Sequence, residues 1–175
     1  NSPEIDSLQW ETYIAVEIPA YIDSHYPTKA NRMGRAITGL SMGGHGGLYL
    51  GLKNSTTFGA CGSMSGGVDL RFRKSSWSLL RLLGDTTQHA QRWIDYSVTG
   101  LVDKIKPGES EIIIDCGTED FFFGINEKLH QQLALRGIPH EYTTRAGKHD
   151  WNYWKNAVSF QLLFFHHYFT KTETP

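Results

Sequence analysis

Ten residues, Thr38 to Gly47, read TGLSMGGHGG, and five of them are glycines set around a single serine. Each glycine inside a helix or strand costs about 0.5–1 kcal/mol relative to alanine, so such a run implies backbone that must pass very close to other backbone. Gly39-Leu40-Ser41-Met42-Gly43 fits G-x-S-x-G, in which a serine sits on a strained turn between a strand and a helix. Glycines two before and two after the serine would remove Cβ atoms expected to collide in that turn. The pattern is short and weak alone, so its flanks decide. Arg35-Ala36-Ile37-Thr38 reads as a short buried strand, and Gly43 to Lys53, with Leu48, Leu50 and Leu52 among small residues, as a helix packed closely on a sheet. The plain alternative is a glycine-rich loop with an incidental serine. A phosphate-binding loop fits less well, since no Gly-Lys-Ser/Thr follows and Lys53 lies too far along.

The rest of the chain repeats the strand-and-helix rhythm. Residues 8–24 read as an amphipathic helix kinked by Pro19, and Phe58 to Ser65 as a buried strand ended by Gly66-Gly67. Ile112 to Cys116 is the clearest strand, followed by a helix from Asn126 to Arg136, a strand from His140 to Thr144 and a long aromatic helix from Trp151 to Thr170. Residues 69–108 break the rhythm with two helical stretches (77–83 and 89–105) and no strand, which marks a cap-like insertion after the second strand. Strands alternating with helices make this an α/β chain with a parallel sheet covered on both faces.

Composition narrows the partners. The 175 residues fit one domain, and 39% hydrophobic, 20% charged residues and a net charge of −1 describe an ordinary soluble globular protein. Nothing is basic enough for nucleic acid; Arg71, Arg73 and Lys74 read as a solvated loop. No apolar run reaches the roughly 18 residues of a membrane span. The start, NSPEIDSLQW, lacks an initiator methionine and a signal pattern and reads as processed or trimmed, so cytoplasmic and secreted or periplasmic locations both stay open. Cys61 and Cys116 lie in apolar runs as buried free thiols, without metal-ligand spacing, so neither metal nor cofactor is expected. Asn54-Ser55-Thr56 is a glycosylation sequon, too short to place the chain outside the cell.

A serine hydroxyl becomes a nucleophile only when a base takes its proton, and the base needs an orienting acid. On a G-x-S-x-G sheet the order is serine, acid, histidine, each on a loop after a strand. The 112–116 strand runs into Gly117-Thr118-Glu119-Asp120, and the 140–144 strand into Ala146-Gly147-Lys148-His149. Of eight histidines, His149 alone follows both serine and acid on a post-strand loop. His45, one helical turn past Ser41, reads as packing the helix start. Asp120 leads for the acid, with Glu119 and Asp69 as rivals. Asp115 lies inside a strand facing a packed layer, and Asp150 adjoins His149 too closely to reach back to its Nδ1.

The segments GLSMGGHG (39–46), Ser65-Gly66, CGTEDF (116–121) and HDWNYW (149–154) resemble the esterase family that includes esterase D (S-formylglutathione hydrolase), tributyrin-type, feruloyl and acetylxylan esterases and the mycolyl-transferring antigens. The resemblance runs from about Trp10 to the C-terminus. It implies an α/β-hydrolase fold represented by the C-terminal part of its parallel sheet, with Ser41 as nucleophile, Asp120 as acid, His149 as base and the Met42 N–H as one oxyanion donor. The family carries earlier strands and an H-G-type loop that supplies a second donor, and this chain shows no such loop. The strand before Ser41 is therefore expected to need cover from a missing N-terminal segment or a second chain. The activity implied is hydrolysis of carboxylic esters through an acyl-enzyme, on acylated carbohydrates or short-chain esters, with Trp77, Trp93 and Trp151 as pocket residues. Acyl transfer to another alcohol is the nearest alternative. A non-catalytic module, either degenerate or binding carbohydrate on Trp77, Trp93, Tyr96 and Trp154, is the alternative outside enzymes.

Overall fold

The computed structural model describes residues 1–73 and 78–171. Its first helix departs from α geometry where proline requires it. Trp10–Thr12 (α1) passes into a π-helical turn, Tyr13–Glu17, before Ile18–His25 (α2). Pro19 has no N–H for the carbonyl four residues back. The wider turn, closed by the Ile18 N–H on the Tyr13 carbonyl, takes up that mismatch, so the irregularity lies just upstream of Pro19.

Among the described residues, four parallel strands follow in sequence order with helices between them. Ala36–Ile37 (β1) leads into Met42–Lys53 (α3), and Ala60–Met64 (β2) follows. Leu79–Leu83 (α4) and Ala90–Asp95 (α5) precede Glu111–Gly117 (β3). Phe123–Leu135 (α6), Glu141–Arg145 (β4) and Trp151–Lys171 (α7) complete the chain. The sheet order is β1-β2-β3-β4, with Ala36 opposite Ala60, Cys61 opposite Ile112 and Ile114 opposite Tyr142.

Alternation along β3 explains the layers. Ile112 and Ile114 pack with Leu48 of α3 and with Leu129 and Leu133 of α6, whereas Ile113 meets Phe164, Phe165 and Tyr168 of α7. Successive side chains of a strand point to opposite faces, so one isoleucine run holds helices on both sides. Cys61 and Cys116 are buried and free, and burial pushes the Cys61 thiol up to about 12.

β1 is shorter and less enclosed than its apolar residues suggest. Ala36 and Ile37 are only partly buried, because β2 pairs with β1 on one side and no described strand lies on the other. Pairing continues past its end through the Met64 N–H to the Gly39 carbonyl (2.9 Å) and the Ser41 N–H to the Met64 carbonyl (2.8 Å).

Residues 69–108 form short helices and 3-10 turns with no strand among the described residues. The helix expected over 89–105 stops at Asp95. The Ser97 hydroxyl donates to the Trp93 carbonyl (2.6 Å), and Gly100 lies so close to the Ile94 carbonyl that a Cβ there would collide with it. Among the described residues, no helix is long and apolar enough to cross a membrane.

Candidate active site

Ser41 sits at φ 57°, ψ −115°, a backbone region that costs of order 1–3 kcal/mol for a residue with a side chain. The turn is held on both sides. The Ser41 N–H bonds to β2, and its carbonyl accepts from the His45 N–H (3.1 Å) and the Gly67 N–H (3.3 Å). A Cβ on Gly39 would lie 2.5 Å from the Gly43 carbonyl oxygen, so only glycine fits before the serine. The collision expected after it does not occur: a Cβ on Gly43 would meet nothing within 4 Å, and Gly43 serves as the surface that Gly39 packs against. Gly44, Gly47 and Gly51 turn instead toward β1 and β2, where a Cβ would strike Ser63, Gly62 and Cys61. They let α3 lie close on the sheet and hold Ser41 at its carboxyl end.

Two later loops meet Ser41 there. Ser41 Oγ lies 2.8 Å from His149 Nε2, and His149 Nδ1 lies 2.8 Å from Asp120 Oδ2. Asp120 Oδ1 accepts the Phe122 N–H (2.8 Å). The loops are tied together by the Thr118 N–H on the Arg145 carbonyl and the Glu119 N–H on the Gly147 carbonyl, both 2.9 Å. Asp120 is 5% exposed, and the His149 side chain, at 14%, is enclosed by the rings of Phe121, Phe122 and Trp154. An ionised carboxylate only accepts hydrogen bonds, so opposite an ionised Asp120 the Nδ1 would donate and Nε2 would face Ser41 Oγ as an acceptor. The Met42 N–H lies in the first turn of α3, where backbone donors have no helical acceptor.

The competing side chains are engaged elsewhere. His45 Nε2 lies 2.8 Å from the Tyr96 carbonyl, and the ring stacks on Tyr49; enclosure holds its pKa below the ordinary imidazole value. Asp69 is gripped by Arg71; burial raises its pKa, but these bonds outweigh that and hold it low. Glu119 is exposed beside Lys148. Asp150 Oδ1 accepts the Asn152 and Tyr153 N–H groups and so caps α7.

Asp115 is wholly buried and paired with Arg145, and it also accepts the Tyr153 hydroxyl. The sequence placed Asp115 in a packed face without indicating these partners. Gly117, two residues past Asp115, stands opposite Arg145 in the register, a relation readable only once the strands are aligned.

The three expected pocket tryptophans separate. Trp93 is 1% exposed, packed with Leu70 and Leu83, and its indole N–H donates to the Gly84 carbonyl, so it is a core residue of the insertion and not a pocket wall. Trp151 is exposed at the start of α7, edge-on to Trp154. Trp77 lies outside the described residues. Trp154 is buried as well, so neither Trp93 nor Trp154 offers a flat aromatic surface to solvent.

A cavity of about 380 Å³ opens beside Met42, walled by α3, by α4 and by the first residues of the chain. Sequence reasoning missed it because its lining comes from segments far apart in the chain. Among the described residues, no group of three or more His, Cys, Asp or Glu side chains could hold a metal ion.

A family model described as Putative esterase matches residues 4–165. An acetyl esterase of Caldicellulosiruptor saccharolyticus is 29% identical, over 91% of this chain and 66% of its own. S-formylglutathione hydrolase of Mus musculus is 29% identical over 67% of this chain and 40% of its own. A solved ferulic acid esterase matches with a TM-score of 0.77 at 26% identity, covering 95% of this chain and 64% of the other. The chain thus spans less than two thirds of the length of these relatives.

Proposed function

The chain belongs to the Putative esterase family, and we propose that it carries the catalytic part of a serine carboxylic-ester hydrolase with the α/β-hydrolase fold. The observation that carries this reading is the continuous hydrogen-bond line from Ser41 Oγ through the His149 ring to Asp120, with Ser41 on a strained strand-to-helix turn. Serine, acid and base arrive in the order this chemistry uses.

His149 Nε2 takes the Ser41 proton as Oγ bonds to the ester carbonyl carbon. The carbonyl oxygen becomes an oxyanion beside the Met42 N–H. Collapse breaks the bond to the alcohol oxygen, which receives the proton from Nε2 and departs. Water then attacks the acyl-serine, giving its proton to Nε2. Ser41 recovers that proton and the acid is released. Asp120 keeps the ring in the required tautomer and balances its charge while it is protonated. Residues 69–108 act as a cap over the site. The free side of β1 is covered by an earlier segment of the protein or by a second chain, since sheets seldom leave an apolar edge open, and that cover brings the second oxyanion donor.

The names of the relatives, acetyl esterase and ferulic acid esterase, support short acyl esters and acylated carbohydrates as substrates. Labelling by a fluorophosphonate tests the reading. The protein should be labelled and Ser41→Ala should not, while an unlabelled wild-type protein that cleaves no activated ester would sink it.

A further inference from the structure

Resting on the hydrolase reading, we infer that the cavity beside Met42 is the subsite for the acyl chain, and that it takes an apolar chain in preference to a sugar. Its walls include Tyr49, Leu70, Leu79, Leu82, Leu83 and Tyr96. Its volume falls within the range of about 300–1,000 Å³ usual for small-molecule sites. Four of the polar side chains on the wall are already bonded inside the protein. Asn1 Oδ1 accepts the Glu11 N–H, Ser2 Oγ donates to the Leu82 carbonyl, Glu11 accepts from Lys53, and His45 meets the Tyr96 carbonyl. Hydroxyls of a sugar placed here would give up water for few free partners on a mostly apolar wall.

The direction of the chemistry assigns the cavity to the acyl side. The leaving alcohol takes its proton from His149 Nε2, so the alcohol lies toward His149. Among the described residues, the cavity lining includes none from β3, β4, α7 or the Asp120 and His149 loops. Its lining includes Met42, the residue after Ser41, and His45, Gly46 and Tyr49 of α3. An acyl chain leaving the carbonyl carbon away from the alcohol enters here.

Gly46 supplies an independent sign. Three of the α3 glycines are needed for contact with the sheet, but a Cβ on Gly46 would meet nothing within 4 Å. Glycine there lowers helix stability with no packing return. What its missing side chain leaves is space, because Gly46 lines the cavity.

The test uses p-nitrophenyl esters from acetate to decanoate with the purified protein. kcat/KM should rise with chain length by up to about four-fold per buried methylene until the cavity is full. Gly46→Phe grows a ring into the cavity from a position with room for its Cβ, and the octanoate-to-acetate ratio of kcat/KM should fall at least ten-fold. Gly46→Ala, a smaller filling and a better helix former, should give an intermediate fall. A wild-type profile flat or falling beyond acetate, with Ser41 still labelled by fluorophosphonate, overturns the acyl subsite alone. So does a Gly46→Phe protein of unchanged ratio, or one whose ratio moves across a series of acetates of different alcohols instead. Absence of both hydrolysis and labelling overturns the hydrolase reading, and this inference with it.

Discussion

Asp115 and Asp120 stand on the same strand and the loop that leaves it, at 0% and 5% exposure, yet their hydrogen-bond partners differ in kind. Asp115 faces Arg145, whose guanidinium does not release its proton, and the Tyr153 hydroxyl, whose pKa is raised first by burial and then by Asp115 itself. Its charge is fixed in place by groups that keep their protons. Asp120 faces the His149 imidazole, which in the proposed reaction takes and returns the Ser41 proton. Burial alone does not reveal what a carboxylate is for; the partner across the hydrogen bond does. One aspartate ties β3 to β4 and α7, while the other, on the hydrolase reading, orients the His149 ring.

Substitutions can break this contrast, beginning with the largest expected loss. Ser41→Ala and His149→Ala should each lower kcat by roughly 10⁶, and the double variant should be no worse, because residues acting as a unit lose their effect together. Steady-state kinetics on an activated ester reads this, and a double variant far below both singles would end the shared role. Asp120→Asn should leave the melting temperature nearly unchanged while kcat falls by up to about 10⁴, through the wrong ring tautomer. A nearly silent Asp120→Asn with a large loss in Asp69→Asn would move the acid to Asp69, despite its grip on Arg71.

Asp115→Asn should show the reverse pattern. It leaves the Arg145 charge without its counterion and should cost about 3 kcal/mol of unfolding free energy, the low end for breaking a buried pair, because the Arg145 side chain keeps 23% of its surface in water. Urea unfolding measures the loss, and kcat per folded molecule should change far less than in Asp120→Asn. A catalytic loss matching that of Asp120→Asn, without loss of stability, would join the two aspartates in one function.

The part of this contrast legible in the sequence is the part carried by local backbone demands. Gly39, two residues before Ser41, states a steric need within five residues, and post-strand loops with an acid and a histidine follow from the strand pattern, so Ser41, Asp120 and His149 could be singled out before any contact was known. The structure then brings them within hydrogen-bond distance. Arg145 and Tyr153 could not be matched to Asp115, because that match depends on the register of two strands and the landing point of a helix. Trp93 was misread for a related reason: aromatic residues in an insertion look alike in sequence whether they face a pocket or fill the insertion's own core. The two glycines of α3 that meet open space, Gly43 and Gly46, could not be told from those pressed on the sheet until α3 was seated.

Tyr153→Phe is the smallest change that still separates the two aspartates. It removes one oxygen, keeps a ring beside Gly147, and leaves Arg145 paired with Asp115. The lost bond joins a neutral donor to a charged acceptor, so unfolding free energy should fall by about 1.5–2 kcal/mol, read from the urea midpoint at an unchanged slope. The pH dependence gives a second reading. A tyrosine whose pKa is raised by folding contributes stability in full below the unfolded value of about 10 and loses it as pH rises further, because the unfolded chain can ionise and the folded one resists. The wild-type protein should therefore weaken above pH ~10. Tyr49, Tyr142 and Tyr168 are shifted in the same direction, so Tyr153→Phe should remove part of that decline and not all of it. If Tyr153→Phe left stability and its alkaline decline untouched but lowered kcat, the hydroxyl would belong with Asp120 and His149, and the division between a fixed charge and a movable proton would fail.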